Sequence, residues 1–275
     1  METVDLPNGD MPQLGLGTYK LHGETLNEVL DAAHDVGYRH VDTAEGYDNE
    51  ADLGEALASY DRDDFWLTSK VLPSNLDYES VIDACEDSLD RLGVDRLDLY
   101  LIHWPNPAVS IRETLDAMAT LVDRDCVRNV GVSNFSAYQF RAARRVSPVP
   151  IAVNQVEFHP YYPQDRLREV LDDAPTALEA AAPLARTAVF DDPTIASIAE
   201  RYDRTPAQVA LRWAIEHGAT VIPRSSSPEN VRSNAHVFDW SLDEADRDAI
   251  DAIETRESAY YEGFDFADET YGISE

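Results

Sequence analysis

Short apolar segments alternate with amphipathic segments along most of the chain. Apolar runs with the length and continuity of buried strands occur at residues 38–42, 65–71, 97–103, 127–134, 151–158 and 219–224. Apolar residues recur at helical spacing between these runs, for example over residues 25–36, 79–92, 111–122, 165–171 and 242–253. A weaker strand is predicted between residues 176 and 184, and another over residues 237–240. Strand and helix therefore alternate about eight times.

The first residues predict a separate unit. Residues 4–6 and 11–16 lie on either side of Asn8-Gly9, a pair typical of a two-residue hairpin loop. Further along, Gly37 is expected to close the first helix, and Thr205-Pro206 to open a later one as N-cap and first-turn proline. An N-terminal β-hairpin thus precedes the repeated units.

This alternation favours a (β/α)8 TIM-type barrel, because consecutive buried parallel strands need helices between them. The alternative is an open doubly wound sheet, but no Gly-x-Gly-x-x-Gly follows the first strand. No Pro/Gly/Ser-rich linker interrupts the pattern, so residues 1–275 are predicted to form one domain.

Composition excludes several classes of protein. The chain has 275 residues, of which 44% are hydrophobic, so a folded globular protein is expected. No apolar run approaches the roughly 18 residues of a membrane span, and the N-terminus lacks the pattern of a signal peptide. Cys85 and Cys126 have neither disulfide-framework nor metal-site spacing. We therefore expect a cytoplasmic protein without a metal site.

The formal net charge of −31 changes the expected surroundings. Only Lys20 and Lys70 are lysines, and the other basic residues are arginines. Self-repulsion on this scale destabilises a compact state unless molar salt shortens the screening length to about 3 Å. We interpret the surface as adapted to high salt, a halophilic trait, with an acidic mesophilic protein as the alternative. Nucleic acid and anionic membranes are poor partners for it.

Four reactive side chains lie where predicted strands meet loops. Asp42, Lys70 and His103 each close a different strand, and Tyr47 follows in the first loop. Adjacent strands of a barrel lie about 5 Å apart, so these side chains should face one mouth. Each alone has an ordinary reading as a loop cap, a satisfied histidine or a packed tyrosine. Lys70 stands out, because this sequence nearly excludes lysine.

The four side chains fit protonation of a developing alkoxide. A tyrosine titrates near 10, and a neighbouring ammonium strengthens it as an acid. Asp42 would neutralise Lys70, and His103 would donate to the substrate oxygen. A barrel hydrolase that uses Asp42 with Glu157 is an alternative, but it leaves Lys70 and Tyr47 without roles.

Several motifs resemble those of the aldo-keto reductase family. They are GYRHVDTA (37–44), YDNE (47–50), LIHWP (101–105), GVSNF (131–135), NQVEFHPY (154–161) and VIPRS (221–225). The resemblance covers about residues 4–253 and leaves the tail from about residue 256 unmatched. It implies a TIM-type barrel whose catalytic tetrad is Asp42, Tyr47, Lys70 and His103, reducing aldehydes or ketones, sugars and keto acids among them.

The resemblance also implies NADPH as the cofactor, with NADH as the alternative. The carboxamide of the nicotinamide would be held by Ser133, Asn134 and Gln155. The other expected cofactor contacts are Pro183, Leu184, Arg224, Ser225, Arg232 and Asn234. The helix start at Ser227-Pro228 has its own physical reading as an anion site, since free backbone N–H groups and the helix dipole meet there.

Two departures from the family pattern leave a second reading open. Ala181 stands where the family has a tyrosine that stacks on the nicotinamide, and Asn230 replaces an arginine near the 2′-phosphate. A non-catalytic nicotinamide-binding protein on the same barrel is therefore the alternative. The expected partner is a small carbonyl compound, and the expected state a monomer or weak homo-oligomer. Candidate pocket residues are Tyr19, Trp66 and Trp104, with Tyr260 or Tyr261.

Overall fold

A closed ring of parallel strands forms the centre of the molecule. The computed structural model describes residues 2–260, and its strands in chain order are β1 (Thr3–Leu6), β2 (Gly9–Pro12), β3 (Leu16–Gly17), β4 (His40–Asp42), β5 (Trp66–Val71), β6 (Leu97–Ile102), β7 (Val127–Ser133), β8 (Ile151–Glu157), β9 (Ala177–Ala181) and β10 (Thr220–Val221). β1 and β2 form an antiparallel hairpin, whereas β3 to β10 form one parallel sheet. Parallel bridges from Leu14 to Val221 and from Gly17 to Arg224 bring its last strand beside its first. The predicted TIM-type barrel with an N-terminal hairpin is confirmed.

Helices connect the barrel strands and bury one apolar face each. They are α1 (Gly23–Asp35), α2 (Glu50–Leu57), α3 (Tyr78–Leu92), α4 (Ile111–Asp123), α5 (Ala137–Val146), α6 (Asp165–Leu171), α7 (Pro193–Tyr202), α8 (Pro206–Glu216), α9 (Pro228–Asn234) and α10 (Glu244–Asp251). The hydroxyls of Thr205 and Ser227 accept hydrogen bonds from backbone N–H groups of α8 and α9, so both predicted caps are present. α5 and α7 had no predicted counterpart, although Ser136 and Asp192 cap them.

The first barrel strand is not where the hydrophobic pattern puts it. Residues 237–240 form turns instead of the predicted eighth strand, and Val237 is simply buried in the core. The missing strand is β3, only two residues long, which the sequence pattern merges with the hairpin. The hairpin loop is Pro7-Asn8, because Leu6 pairs with Gly9. Asp42 therefore closes the second strand of the barrel.

The hairpin closes the N-terminal end of the barrel. A separate apolar cluster lies there, formed by Met11, Trp66, Leu99, Leu101, Ala152 and Val153, with Leu6 packed against it. The side-chain amide of Asn8 donates to the carbonyl of Arg128, which fixes the hairpin to the start of β7. Within residues 2–260, no helix has the length and apolarity required to cross a bilayer.

An ion pair between the buried Glu50 carboxylate and the exposed guanidinium of Arg91 anchors the helix that follows the first reactive loop. Glu50, at the start of α2, is almost fully buried, and its carboxylate accepts from Ser69 of β5 at 2.5 Å. Its other oxygen accepts hydrogen bonds from the hydroxyl of Ser88 in α3 and from two nitrogens of Arg91, Nε at 2.8 Å and Nη2 at 2.7 Å. The pair thereby joins α2, α3 and β5 behind the loop that carries Tyr47.

Replacing Arg91 tests this anchor. Arg91→Ala removes the cation that pairs with the buried Glu50 carboxylate, but the guanidinium itself is exposed, so we expect the free energy of unfolding to fall by about 2 kcal/mol. Arg96→Ala is the matched control, because the Arg96 pair with Asp125 lies on the surface, and its loss should cost less than about 1 kcal/mol. Urea denaturation of both variants at one salt concentration measures the difference. Equal losses would contradict an anchoring role.

Candidate active site

Four predicted side chains converge at the carboxyl ends of β4, β5 and β6. Asp42 is the last residue of β4, Lys70 lies one residue before the end of β5, and His103 follows β6. The strands are consecutive in the sheet, with Asp42 opposite Thr68 and Lys70 opposite Leu101. Strand order alone therefore brings the carboxylate, the ammonium and the imidazole to one side of the barrel mouth.

Lys70 is fully buried and uses all three of its donors. Its Nζ lies 2.6 Å from Oδ1 of Asp42, 2.8 Å from the carbonyl of Thr43 and 3.3 Å from the phenolic oxygen of Tyr47. Burial alone would lower the pKa of Lys70, but the charges and hydrogen bonds of Asp42 and Tyr47 together outweigh it, and the pKa is raised. The side chain is therefore a buried ammonium with one carboxylate partner and one phenol.

The loop after β4 holds Tyr47 over the lysine. A short 3-10 turn, Glu45–Tyr47, ends in Asp48 with a left-handed φ of 55°. The carboxylate of Glu45 accepts from the backbone N–H of Leu72 and the amide of Asn75, which ties this turn to the loop after β5. The ring of Tyr47 lies 5.6 Å from that of His103, edge to face.

Burial decides the acidity of Tyr47 and His103. Burial raises the pKa of Tyr47, and the Lys70 ammonium acts in the opposite direction without cancelling it. The expected lowering by Lys70 is therefore present, but it is the smaller effect. Burial and the Lys70 charge together lower the pKa of His103 to about 3, so the ring is neutral at ordinary pH. Its Nδ1 is buried without a hydrogen-bond partner among the described residues.

Asn49 directly precedes α2 and joins two loops at the barrel mouth. Its side chain makes no capping bond to α2. Instead its amide donates to the carbonyls of Thr18 and Leu21, and its oxygen accepts from Thr43 at 2.9 Å. Asn49 thus joins the loop after β3 to the loop after β4.

The expected nicotinamide contacts lie at the ends of β7 and β8. Ser133 ends β7, and Asn134 follows in a left-handed conformation with φ of 61°. The Asn134 amide donates to the carbonyl of His103 at 2.9 Å and to the Ser133 hydroxyl at 3.0 Å. Gln155, in β8, directs its amide to Asp42 at 2.8 Å and to Glu179 at 2.6 Å. Gln155 therefore contacts the Asp42–Lys70 pair, whereas Asn134 contacts His103 and Ser133.

These donors and acceptors suit a carboxamide. The Ser133 hydroxyl accepts one bond from Asn134 and retains its own proton for donation. The side-chain oxygens of Asn134 and Gln155 make no hydrogen bond within residues 2–260 and can accept from an amide NH2. The residues present therefore fit a nicotinamide carboxamide.

The remaining cofactor candidates lie along the ends of β9 and β10. Pro183 is buried and Leu184 half-buried in the loop after β9, where Ala182, Ala185 and Arg186 all have left-handed φ values of 46° to 59°. This strained loop was not predicted, because alanine gives no signal for such a conformation. Ala181 is buried at the end of β9, and no ring occupies its position.

Several basic side chains lie in the segment that follows β10, although the chain as a whole is strongly acidic. Arg224 and Arg232 are exposed, Ser225 folds its hydroxyl onto the backbone of Ser227, and Asn234 is buried at the end of α9. Arg224 donates to the carbonyls of Tyr19 and Lys20, at 3.1 Å and 3.4 Å. Lys20 therefore belongs to this cationic side. Lysine is rare in this sequence, so Lys20 carried the same signal as Lys70, but no role was predicted for it.

The predicted pocket residues lie at two different ends of the barrel. The ring of Tyr19 lies 5.1 Å from that of Tyr47, and Trp104 directly follows His103. Trp66, however, is wrong as a pocket residue, since it is the first residue of β5 and is buried in the cluster at the hairpin end. Tyr260 follows Ser258, whose hydroxyl donates to the Glu157 carboxylate, and Tyr261 lies outside the described residues.

One buried acid at the site has no counterpart in the predictions. Glu179, in the middle of β9, is fully buried and contacts Gln155 directly below Asp42. It sits in a run of alanines, so its polarity in a buried strand was the available signal. Glu157, proposed as a hydrolytic partner of Asp42, instead accepts from His159, Ser258 and Ala259. No group of three potential metal ligands occurs in residues 2–260.

Comparison with known proteins agrees with this geometry. The profile of the Aldo/keto reductase family matches residues 13–255. An aldo-keto reductase of Mycolicibacterium smegmatis is 42% identical over 256 residues, covering 92% of this chain and 93% of the relative. The 2,5-diketo-D-gluconic acid reductase B of a Corynebacterium is 40% identical (92% and 93% covered), and the glyoxal reductase of Bacillus subtilis 38% (92% of each).

Solved structures give the same result. The aldose reductase of Schistosoma japonicum superimposes with a TM-score of 0.89 at 31% identity, covering 94% of this chain and 93% of that one. The chain therefore belongs to the aldo/keto reductase family of oxidoreductases.

The low pKa of His103 predicts a pH dependence of stability. A histidine in an unfolded chain titrates near 6.5. Between pH 6.5 and about 3, His103 is therefore protonated in the unfolded chain and neutral in the folded chain. The contribution of His103 to the free energy of unfolding is thus complete above pH 6.5 and decreases as the pH falls. Between pH 6.5 and 5 the loss should reach about 2 kcal/mol, at 1.36 kcal/mol per pH unit.

Urea denaturation of the wild-type protein and of His103→Gln at several pH values measures this contribution. The stability difference between them should shift by that amount in favour of the variant as the pH falls. A difference that does not change with pH would contradict a neutral, buried His103.

Proposed function

We propose that the protein is an NAD(P)H-dependent reductase that converts small aldehydes or ketones into alcohols. The observation that supports it most is the pair of contacts made by one buried ammonium, Lys70 to Asp42 and Lys70 to Tyr47. A phenol next to a compensated ammonium is a proton donor at a site otherwise shielded from water. Bound nicotinamide would supply the hydride for the carbonyl carbon.

Tyr47 holds the proton that the developing alkoxide takes up. As the proton leaves, the phenolate gains negative charge 3.3 Å from the Lys70 ammonium, which stabilises it. Asp42 keeps Lys70 charged and oriented during this change. His103, neutral and within ring contact of Tyr47, would donate a hydrogen bond to the same substrate oxygen without becoming charged.

The cofactor would lie across the ends of β7 to β10. Ser133, Asn134 and Gln155 would hold the carboxamide, and Pro183 and Leu184 would border the centre of the dinucleotide. Arg224 and Arg232, with Lys20, would favour the extra phosphate of NADPH over NADH. Ser225 and Asn234 complete the adenine side.

The named relatives narrow the substrate class. A glyoxal reductase and a diketo-gluconic acid reductase share about two fifths of their residues with this chain, and both names describe compounds with more than one carbonyl group. Tyr19 and Trp104 would line the entrance for such small polar molecules. A carbonyl panel for this protein should therefore include dicarbonyls, keto acids and sugars.

The acidic composition indicates the salt concentration at which the protein works. A net charge of −31 favours a cytoplasm rich in salt and disfavours nucleic acid or anionic membranes as partners. Assays accordingly belong at molar salt. We propose a monomer or a weak homo-oligomer as the working state.

Binding of nicotinamide without turnover is the second candidate function, favoured by Ala181 at the position of the stacking ring. A fluorescence change of NADPH without oxidation by any carbonyl of the panel would support it. The buried Lys70 with its phenol partner favours the reductase.

Tyr47→Phe tests the proposed proton donor. Removing one hydroxyl should lower kcat for carbonyl reduction by about 10²- to 10⁴-fold, since a positioned general acid contributes on this scale. Affinity for NADPH, measured by fluorescence titration, should change less than about threefold, because the cofactor contacts come from other strands. Tyr138→Phe, at a surface tyrosine of α5, is the matched control, with turnover close to that of the wild type. Retained turnover in Tyr47→Phe would assign the acid elsewhere.

Arg224→Ala tests the proposed phosphate contact. A lost charge-assisted contact should raise the Kd of NADPH by about 10- to 100-fold, whereas the Kd of NADH should change less than about threefold. Titrations with both cofactors at one salt concentration measure this. An equal loss for both would mean that Arg224 acts only by bracing the Tyr19 loop through its backbone carbonyls.

A further inference from the structure

A second buried carboxyl group lies beneath the Asp42–Lys70 pair. The side-chain amide of Gln155 donates one proton to Oδ2 of Asp42 at 2.8 Å and the other to Oε2 of Glu179 at 2.6 Å. Asp42, Gln155 and Glu179 therefore form one chain of hydrogen bonds leading down from Lys70 into the barrel. Asp42 is 1% exposed and Glu179 is fully buried.

His40 faces the other oxygen of Glu179. Its Nδ1 lies 3.3 Å from the carbonyl of Pro12, which only accepts, so Nδ1 carries a proton. Its Nε2 lies 3.2 Å from the hydroxyl of Thr68 and 3.5 Å from Oε1 of Glu179. Burial lowers the pKa of His40 to about 4, so the ring is neutral and Nε2 is an acceptor.

Two acceptors therefore face each other unless a proton lies between them. Oε1 of Glu179 has no hydrogen-bond partner among the described residues, which is costly for a buried carboxylate. A proton on Oε1 turns it into a donor toward Nε2 of His40 and removes the conflict. Burial, followed by the charge of Asp42, raises the pKa of Glu179 to about 8.

The charges around Glu179 agree with this arrangement. The groups that face it are His40 and Asp42 of β4, Lys70 of β5, Gln155 of β8 and Thr220 of β10. Among these, Lys70 is the one buried cation and Asp42 already neutralises it. A second carboxylate would remain uncompensated.

We infer that Glu179 is a positioning residue that holds a proton at neutral pH, donates it toward His40, and fixes Gln155 so that Asp42 keeps its full charge for Lys70. Loss of this proton in mildly alkaline solution places a second negative charge one amide group away from Asp42. That charge disfavours a phenolate on Tyr47, raises its pKa and weakens it as an acid. This consequence for turnover rests on the proposed reductase function.

The protonation itself can be measured without any turnover. Protein labelled with 13C at the δ-carbon of glutamate should give one carboxyl signal that titrates near pH 8. This signal should be missing in Glu179→Gln, whose amide has nearly the shape of the protonated acid. Glu157→Gln is the matched control, because burial would raise the pKa of Glu157 but hydrogen bonds from His159 and Ser258 hold it below its usual range. Its loss should leave the titrating signal in place.

The pH profile of carbonyl reduction then tests the coupling. Wild-type kcat should fall about three- to tenfold through pH 8. One added negative charge on Glu179, inside the barrel, should raise the pKa of Tyr47 by about one unit. In Glu179→Gln this inflection should be absent. Its persistence would overturn the coupling to Tyr47.

If the signal that disappears in Glu179→Gln has the chemical shift of an ionised carboxylate at pH 7, Glu179 is ionised and the inference is wrong, whatever the activity. Because the labelled protein needs neither cofactor nor substrate, this failure is distinct from a failure of the reductase proposal, which would appear as a lack of turnover.

Discussion

The ammonium of Lys70 is the constraint around which the loop-rich end of the barrel is arranged. A buried cation is stable only with acceptors for each of its protons and an opposite charge close by. Asp42, the carbonyl of Thr43 and the phenol of Tyr47 meet this requirement. All three come from β4 or from the loop that follows it, so the lysine also determines where that loop lies. Tyr47, the proposed proton donor, is thus placed by the same contacts that keep the lysine charged.

Two other buried acidic side chains avoid an unpaired negative charge in different ways. Glu50 is matched by a two-donor contact from the Arg91 guanidinium, behind the Tyr47 loop. Glu179 faces neutral groups below Asp42 and is matched by a proton. Burial is similar for the two side chains, and the nearest cation makes the difference. The large negative charge of the molecule consequently stays at the surface, where salt can screen it.

The side beyond β9 differs most from the family pattern. Ala181 leaves out the ring that the family places against the nicotinamide, and the loop that follows has three residues in left-handed conformations. Arg224 meanwhile braces the Tyr19 loop, and Tyr19 packs against Tyr47. The adenine end and the proton donor are therefore joined by contacts within the protein. Under the proposed function, orientation of a nicotinamide would depend correspondingly more on Ser133, Asn134 and Gln155.

The sequence by itself determined the alternation of strands and helices, the capped starts of α8 and α9, and the reactive types at the ends of β4, β5 and β6. These follow from local periodicity and from short-range capping. Only the tertiary structure decided that β3 is the missing barrel strand, that Trp66 lies at the hairpin end, and that Glu179 lies under Asp42. A two-residue strand has no period, and depth in the barrel and the pairing of a buried acid depend on residues more than a hundred positions apart. Such contacts exist only once the ring of strands has closed.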